Sequence, residues 1–186
     1  VRASTRLGYF RPIANEDDRK LTTIRELFQL EDHPVEAMRG ATVAEATALL
    51  QAGNEDELLD TVISKYVEYS KDKDFVLVSR GHLGDPGDAF WTAKITSALS
   101  LPVVYVVHRS YTAAENGTRE LSEIAARVKE ALDSQGARFA GLVSTVRDAA
   151  MEAEVRDMCD KLGVFPAALL PPDERFSQIT LAEIAA

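Results

Sequence analysis

The stretch DFVLVSRG, residues 74–81, carries four consecutive apolar residues, Phe75 to Val78, between polar flanks. The run is too short for a helix, and runs of this kind typify strands covered on both faces of a sheet. Toward the C-terminus the same unit recurs. A helical stretch at 88–99 leads to VVYVV at 103–107, and a helix at 119–135 with Leu121, Ile124, Val128 and Leu132 on one stripe leads to FAGLV at 139–143. A helix marked by Met151, Val155, Met158 and Leu162 then leads to FPAALL at 165–170. Alternation of strand and helix requires crossover connections, so the expected fold is α/β, three-layer, with a mainly parallel sheet and helices on both faces.

Toward the N-terminus, RLGYFRPIA at 6–14 reads as a buried strand through Leu7, Tyr9, Phe10 and Ile13, with Pro12 suited to its end. Leu21 to Leu30 reads as a short amphipathic helix, and HPVEAMRG at 33–40 as a connector broken by Pro34 and Gly40. His33 in that connector has no ligand-spaced partner and is expected to be solvated. Val43 to Gln51 reads as helical, Gly53 interrupts the pattern, and Leu58, Leu59, Val62, Ile63, Tyr66 and Val67 mark a long helix over 55–70. The terminal TLAEIAA resembles a helix start.

With 186 residues, 46% of them hydrophobic, the chain is expected to form a single domain over 1–186 with a substantial core. A net charge of -9 opposes general binding to nucleic acid or to an anionic membrane surface, which needs excess Lys and Arg. No apolar run approaches the ~20 residues of a spanning helix, so no membrane insertion is expected. Cys159 is the sole cysteine, which excludes an internal disulfide and a cysteine-cluster metal site, and its helical setting predicts a buried, inert thiol. These features predict an intracellular, soluble protein. Arg2, Arg6 and Arg11, with no acid in the first 15 residues, and the small residues of VRAS leave both the cytoplasm and an organelle such as a plastid open.

LGYFRPIA, followed by the long helix NEDELLDTVISKYVEYSKDKDFVLV, resembles the N-terminal domain of bacterial-type phosphate acetyltransferases. That domain has a P-loop NTPase-like fold similar to dethiobiotin synthetase and the cobyrinic acid amidases. LPVVYVV, EIAARVKEALDSQGARFAGLV and LLPPDERFSQITLAEIA stand where the family has its later strands and helices, so the resemblance covers nearly the whole chain. In the family, a strand, a glycine-rich phosphate loop and a helix precede the GYFRPI-like strand. Here only VRASTR precedes Leu7, and no G-x-x-x-x-G-K-[ST] occurs. The phosphate loop is absent, and the domain is expected to be truncated at its N-terminus.

The resemblance implies two further departures. Where relatives place an acid at the end of the central strand, this chain has Ser79, Arg80 and Gly81, so the magnesium-organising carboxylate is missing. Where relatives carry an Asn that reads a purine base, it has Ser144 and Thr145. A degenerate nucleotide site is therefore expected, with no catalytic residue, no cofactor and no metal. The acetyl-transfer domain, which in the family lies C-terminal to this one, is not within these residues.

One constellation remains for chemistry. Arg80 and His82 follow one strand, His108 and Arg109 the next, and Arg147 the third, and parallel strands bring such ends to one edge. Cationic and titratable donors gathered there suit a small anionic metabolite or an acidic segment of a partner. GHLGDPGDAF at 81–90 reads as a turn into a helix capped by Asp88, with a binding loop as the alternative, and Trp91 is expected to pack at that helix's start.

Two functions fit this reading: a regulatory or assembly domain of a phosphate-acetyltransferase-like protein, and a stand-alone pseudo-NTPase acting as a structural subunit of a larger complex. In the family the phosphate-loop strand is interior to the sheet, so its loss predicts an open edge covered by another protein chain or by the missing N-terminal segment.

Overall fold

A computed structural model of the protein describes residues 5–30, 33–80, 88–107, 117–146 and 148–171. In chain order it contains β1 (Leu7–Ala14), α1 (Arg19–Leu27), a 3-10 turn (Val35–Met38), β2 (Arg39–Thr42), α2 (Val43–Gln51), α3 (Glu55–Ser70), β3 (Phe75–Val78) and α4 (Asp88–Ala98). There follow β4 (Val103–Val107), α5 (Gly117–Ser134), β5 (Phe139–Thr145), α6 (Ala149–Leu162) and β6 (Pro166–Leu170). The strands form two three-stranded sheets, β2-β1-β3 and β4-β5-β6, and every pairing is parallel. The fold is α/β, in keeping with the three-layer, mainly parallel architecture expected. The chain divides into two compact units, one built on each sheet.

In the first unit β1 is the central strand, and all its residues after Leu7 are buried. Its even-numbered face packs on α3, where the Phe10 ring meets Tyr66 edge-on at 5.4 Å and lies 5.8 Å from Tyr69. Apart from Arg11 the strand is apolar on both faces because both are covered, which is why it reads as a run rather than an alternation. Leu21 of α1, Met38, Leu58 and Val62 of α3, and Trp91 and Ile95 of α4 complete this core. Trp91 therefore packs near the start of α4 as expected, and α4 begins at Asp88.

Two expectations need correction here. The connector at 33–40 contains the 3-10 turn and the start of β2, which pairs with β1 through Arg11↔Arg39 and Ile13↔Ala41. Gly40 permits that pairing: a Cβ there would stand 2.4 Å from the Pro12 carbonyl oxygen and 3.1 Å from Val62 Cγ2. The second correction concerns β3. It is not covered on both faces: Phe75 is 58% and Leu77 56% exposed, while Val76 and Val78 are half-buried. Among the described residues β3 pairs on one side only, with β1, and its odd-numbered face stays open.

In the second unit β5 is central, with Leu142 and Ser144 fully buried. Ala125 of α5 and Met151, Val155, Met158 and Cys159 of α6 pack around Leu142. Cys159 is a buried free thiol, and burial pushes its pKa up. α6 is capped at both ends. Asp148 accepts from the Met151 N–H at 2.8 Å, and Gly163 closes the C-terminus at φ +63°, a conformation glycine adopts without steric cost. The final TLAEIAA lies outside the described residues. No described helix is long and apolar enough to cross a membrane.

Candidate functional site at the strand ends

In parallel sheets the carboxyl ends of the strands are where backbone and loops leave room for ligands. At the ends of β1 and β3 a group of polar side chains converges. Arg11, inside β1, is buried and points its guanidinium toward the loop beyond the strand. Its Nη1 donates to Asp18 Oδ2 at 2.5 Å, and its Nη2 donates to the Arg80 carbonyl at 3.3 Å. The side chains of Arg11 and Asp18 are only 8% and 10% exposed, so this ion pair is desolvated and each charge depends on the other. The Nε of Arg11 is buried and has no hydrogen-bond partner.

Asp18 has a second task. It is the N-cap of α1, and its Oδ1 accepts from the Lys20 N–H at 2.9 Å. One carboxylate thus anchors a helix to the sheet through the arginine. Arg39, the register partner of Arg11 on β2, is also buried, and its Nη1 donates to the carbonyls of Asn15 at 2.8 Å and Glu16 at 3.0 Å. Two guanidiniums therefore share one face of the sheet, Arg11 answered by the Asp18 carboxylate and Arg39 by backbone carbonyls.

The end of β3 is fixed to the same group. The Ser79 N–H donates to the Phe10 carbonyl at 3.0 Å, extending the ladder one residue, and the Tyr9 hydroxyl donates to Ser79 Oγ at 2.6 Å. Ser79 and Arg80 thus stand in defined positions beside Arg11. The Asp18 carboxylate is committed to Arg11 and to the helix cap. No cluster of three or more His, Cys, Asp or Glu suited to a metal ion occurs among the described residues. The guanidiniums of Arg11 and Arg39 are both engaged within the protein, the first by Asp18 and the Arg80 carbonyl and the second by the carbonyls of Asn15 and Glu16.

Of the constellation expected from the sequence, Arg80 belongs to this group through its carbonyl. His82, His108, Arg109 and Arg147 lie outside the described residues, as does the 81–87 loop. Ser144 is fully buried in β5, and its hydroxyl lies 3.3 Å from the Thr145 carbonyl. The sequence does not mark Tyr9, Arg11, Asp18 or Arg39 as site residues. The available signal was a charged residue, Arg11, in the middle of a buried strand, since such a residue needs a buried partner. His33 is also not solvated as expected: its side chain is 27% exposed and rests against Lys73 and Tyr69.

No family model matches the chain.

Proposed function

We propose that this chain is a non-catalytic regulatory or assembly domain of a phosphate-acetyltransferase-like protein, and that it works by holding a further stretch of polypeptide along β3. One observation carries the reading: β3 is an edge strand among the described residues, yet it has the composition of an interior one. Phe75 and Leu77 are exposed on one face, and Leu7, the register partner of Phe75, extends the patch at 47% exposure. An open edge beside exposed large apolar side chains is the site at which an added strand gains both hydrogen bonds and apolar burial. Its direction would be parallel, as in every pairing of this sheet. The occupant is another protein chain or a segment of a longer polypeptide.

Ser79 and Arg80 at the end of β3 support the non-catalytic half of the reading. A serine and an arginine there, in place of a metal-organising carboxylate, disfavour a Mg-nucleotide and suit a small anionic metabolite that would act as a regulator. The alternative, a stand-alone pseudo-NTPase serving as a structural subunit, uses the same edge. Intact mass of the natural protein separates the two, because several hundred residues favour the first and a chain ending near Ala186 the second.

The experiment is native molecular weight together with a titration by ATP and Mg²⁺. The expected result is a longer chain or a complex, and no saturable uptake of nucleotide. A monodisperse soluble monomer of these residues alone would overturn the assembly role, and Mg-dependent ATP binding at micromolar concentration would overturn the degenerate-site reading.

A further inference from the structure

At the opposite end of the first sheet, where the chain turns from α3 into β3, a second polar cluster forms around a buried lysine. Lys73 has a side chain only 5% exposed, with its ammonium 2.6 Å from His33 Nε2, 2.9 Å from Asp72 Oδ1 and 5.0 Å above the Tyr69 ring. An ammonium has three protons to donate and no lone pair. A charged Lys73 can therefore share this contact only with a His33 whose Nε2 carries no proton.

We propose that His33, Lys73 and Tyr69 form a proton-operated latch, closed while neutral His33 accepts from Lys73 and opened when His33 is protonated. Protonation removes the acceptor lone pair and sets an imidazolium against an ammonium at contact distance, in a place where Lys73 cannot reach solvent without leaving its site. Among the described residues, the charged and titratable groups facing His33 are Lys73 and Asp72 from the turn after α3, Tyr69 from α3, and Arg25 from α1, whose Nε donates to the His33 carbonyl at 3.0 Å. Glu36 on the 3-10 turn that follows is exposed. Asp72 Oδ2 lies 3.6 Å from His33 Nε2 but is half-exposed and already bonded to Lys73, so it offsets only part of the added charge.

The latch reaches β1. β2 begins its pairing at Arg11, so the Tyr9 N–H has no strand partner on that side, and the Tyr69 hydroxyl accepts it at 3.1 Å. The Tyr69 ring is held between His33, edge-on at 5.2 Å, and the Lys73 cation. Opening the latch releases that ring and with it the cover over the Tyr9 amide. The device stands on this geometry alone and does not depend on what binds β3.

The test is amide hydrogen exchange of the full chain at pH ~7.5 and ~5.5, on either side of the range in which imidazoles titrate. Wild type is expected to lose protection at the Tyr9 amide by about tenfold or more at the lower pH. His33→Gln, which cannot be protonated, and Lys73→Met, which removes the facing ammonium, are expected to show no such loss. Equal protection at both pH values in wild type, or an undiminished loss in Lys73→Met, would overturn the proposal. Should either variant fail to fold, nitrogen NMR of wild-type His33 decides: a proton on Nδ1 at pH ~7.5 is expected, and a proton on Nε2 would overturn it.

Discussion

Asp18 shows how one residue can hold both a helix and a sheet. It caps α1 and neutralises Arg11, and the two tasks separate by substitution. Asp18→Asn keeps a capping oxygen but leaves the buried guanidinium without its carboxylate, and is expected to cost about 3–5 kcal/mol of stability. Asp18→Ala removes the cap as well and is expected to lose about 1 kcal/mol more. Combining Asp18→Asn with Arg11→Met removes both charges, and most of the loss should return. Urea midpoints of the three variants measure these differences. If the double variant is no more stable than Asp18→Asn, the cost lies in the cap or the packing rather than in the charge. Arg11 is legible in the sequence as an oddity within a buried run, but its partner is not. Asp18 lies beyond the end of the strand, and nothing in the spacing says that the chain turns back there.

At the scale of elements, α2 carries its own start signal. Thr42 Oγ1 accepts from the Glu45 N–H at 3.0 Å, while the Glu45 carboxylate accepts from the Thr42 N–H at 2.8 Å and from the Thr42 hydroxyl at 2.9 Å. Each side chain satisfies a donor that the helix leaves open, which is a capping box. The bonds from Thr42 hold the Glu45 pKa below its ordinary value, the backbone N–H contributing most. A carboxylate with a depressed folded pKa adds stability that is present above the unfolded value of about 4.3 and is lost as pH falls through the folded value. Glu45→Gln should flatten that part of the pH dependence, and Thr42→Ala should cost about 1 kcal/mol at neutral pH. Thermal melts between pH ~3 and ~7 check both; an unchanged acid limb in Glu45→Gln would show that the box contributes nothing measurable.

Local signals of this kind explain why α2 and α3 fall at Val43–Gln51 and Glu55–Ser70, where the periodicity puts them, with Gly53 at φ +75° between them. β2 has no such signal. RGAT has neither alternation nor a β-branched run, and it becomes a strand because Gly40 lets its backbone lie against Pro12.

For the molecule as a whole, the placement of its exposed apolar residues matters most. Phe75, Leu77 and Leu7 share one face of the first sheet, and Val104 and Val106 are exposed on β4, which among the described residues is an edge strand of the second. Leu77→Lys is expected to leave the urea midpoint nearly unchanged, within about 0.5 kcal/mol, because the side chain is already half in water. Phe10→Ala, in the closed core beneath α3, is expected to cost about 3–5 kcal/mol. If β3 is an assembly edge, Leu77→Lys should nevertheless lower the native mass or weaken partner retention. A variant that loses stability as Phe10→Ala does, with no change in association, would mean that Leu77 serves the fold alone.

Apart from β2 and the 3-10 turn before it, the sequence by itself determined the kinds of element, their order and the parallel sense of the strands, because periodicity, caps and crossover lengths are local properties that neighbouring residues settle among themselves. Only the tertiary structure decided which of those strands has an open face, which carboxylate answers Arg11, and that His33 rests on a buried lysine. Each of those depends on groups up to about seventy positions apart, such as Tyr9 and Ser79, being brought within bonding distance by the sheet.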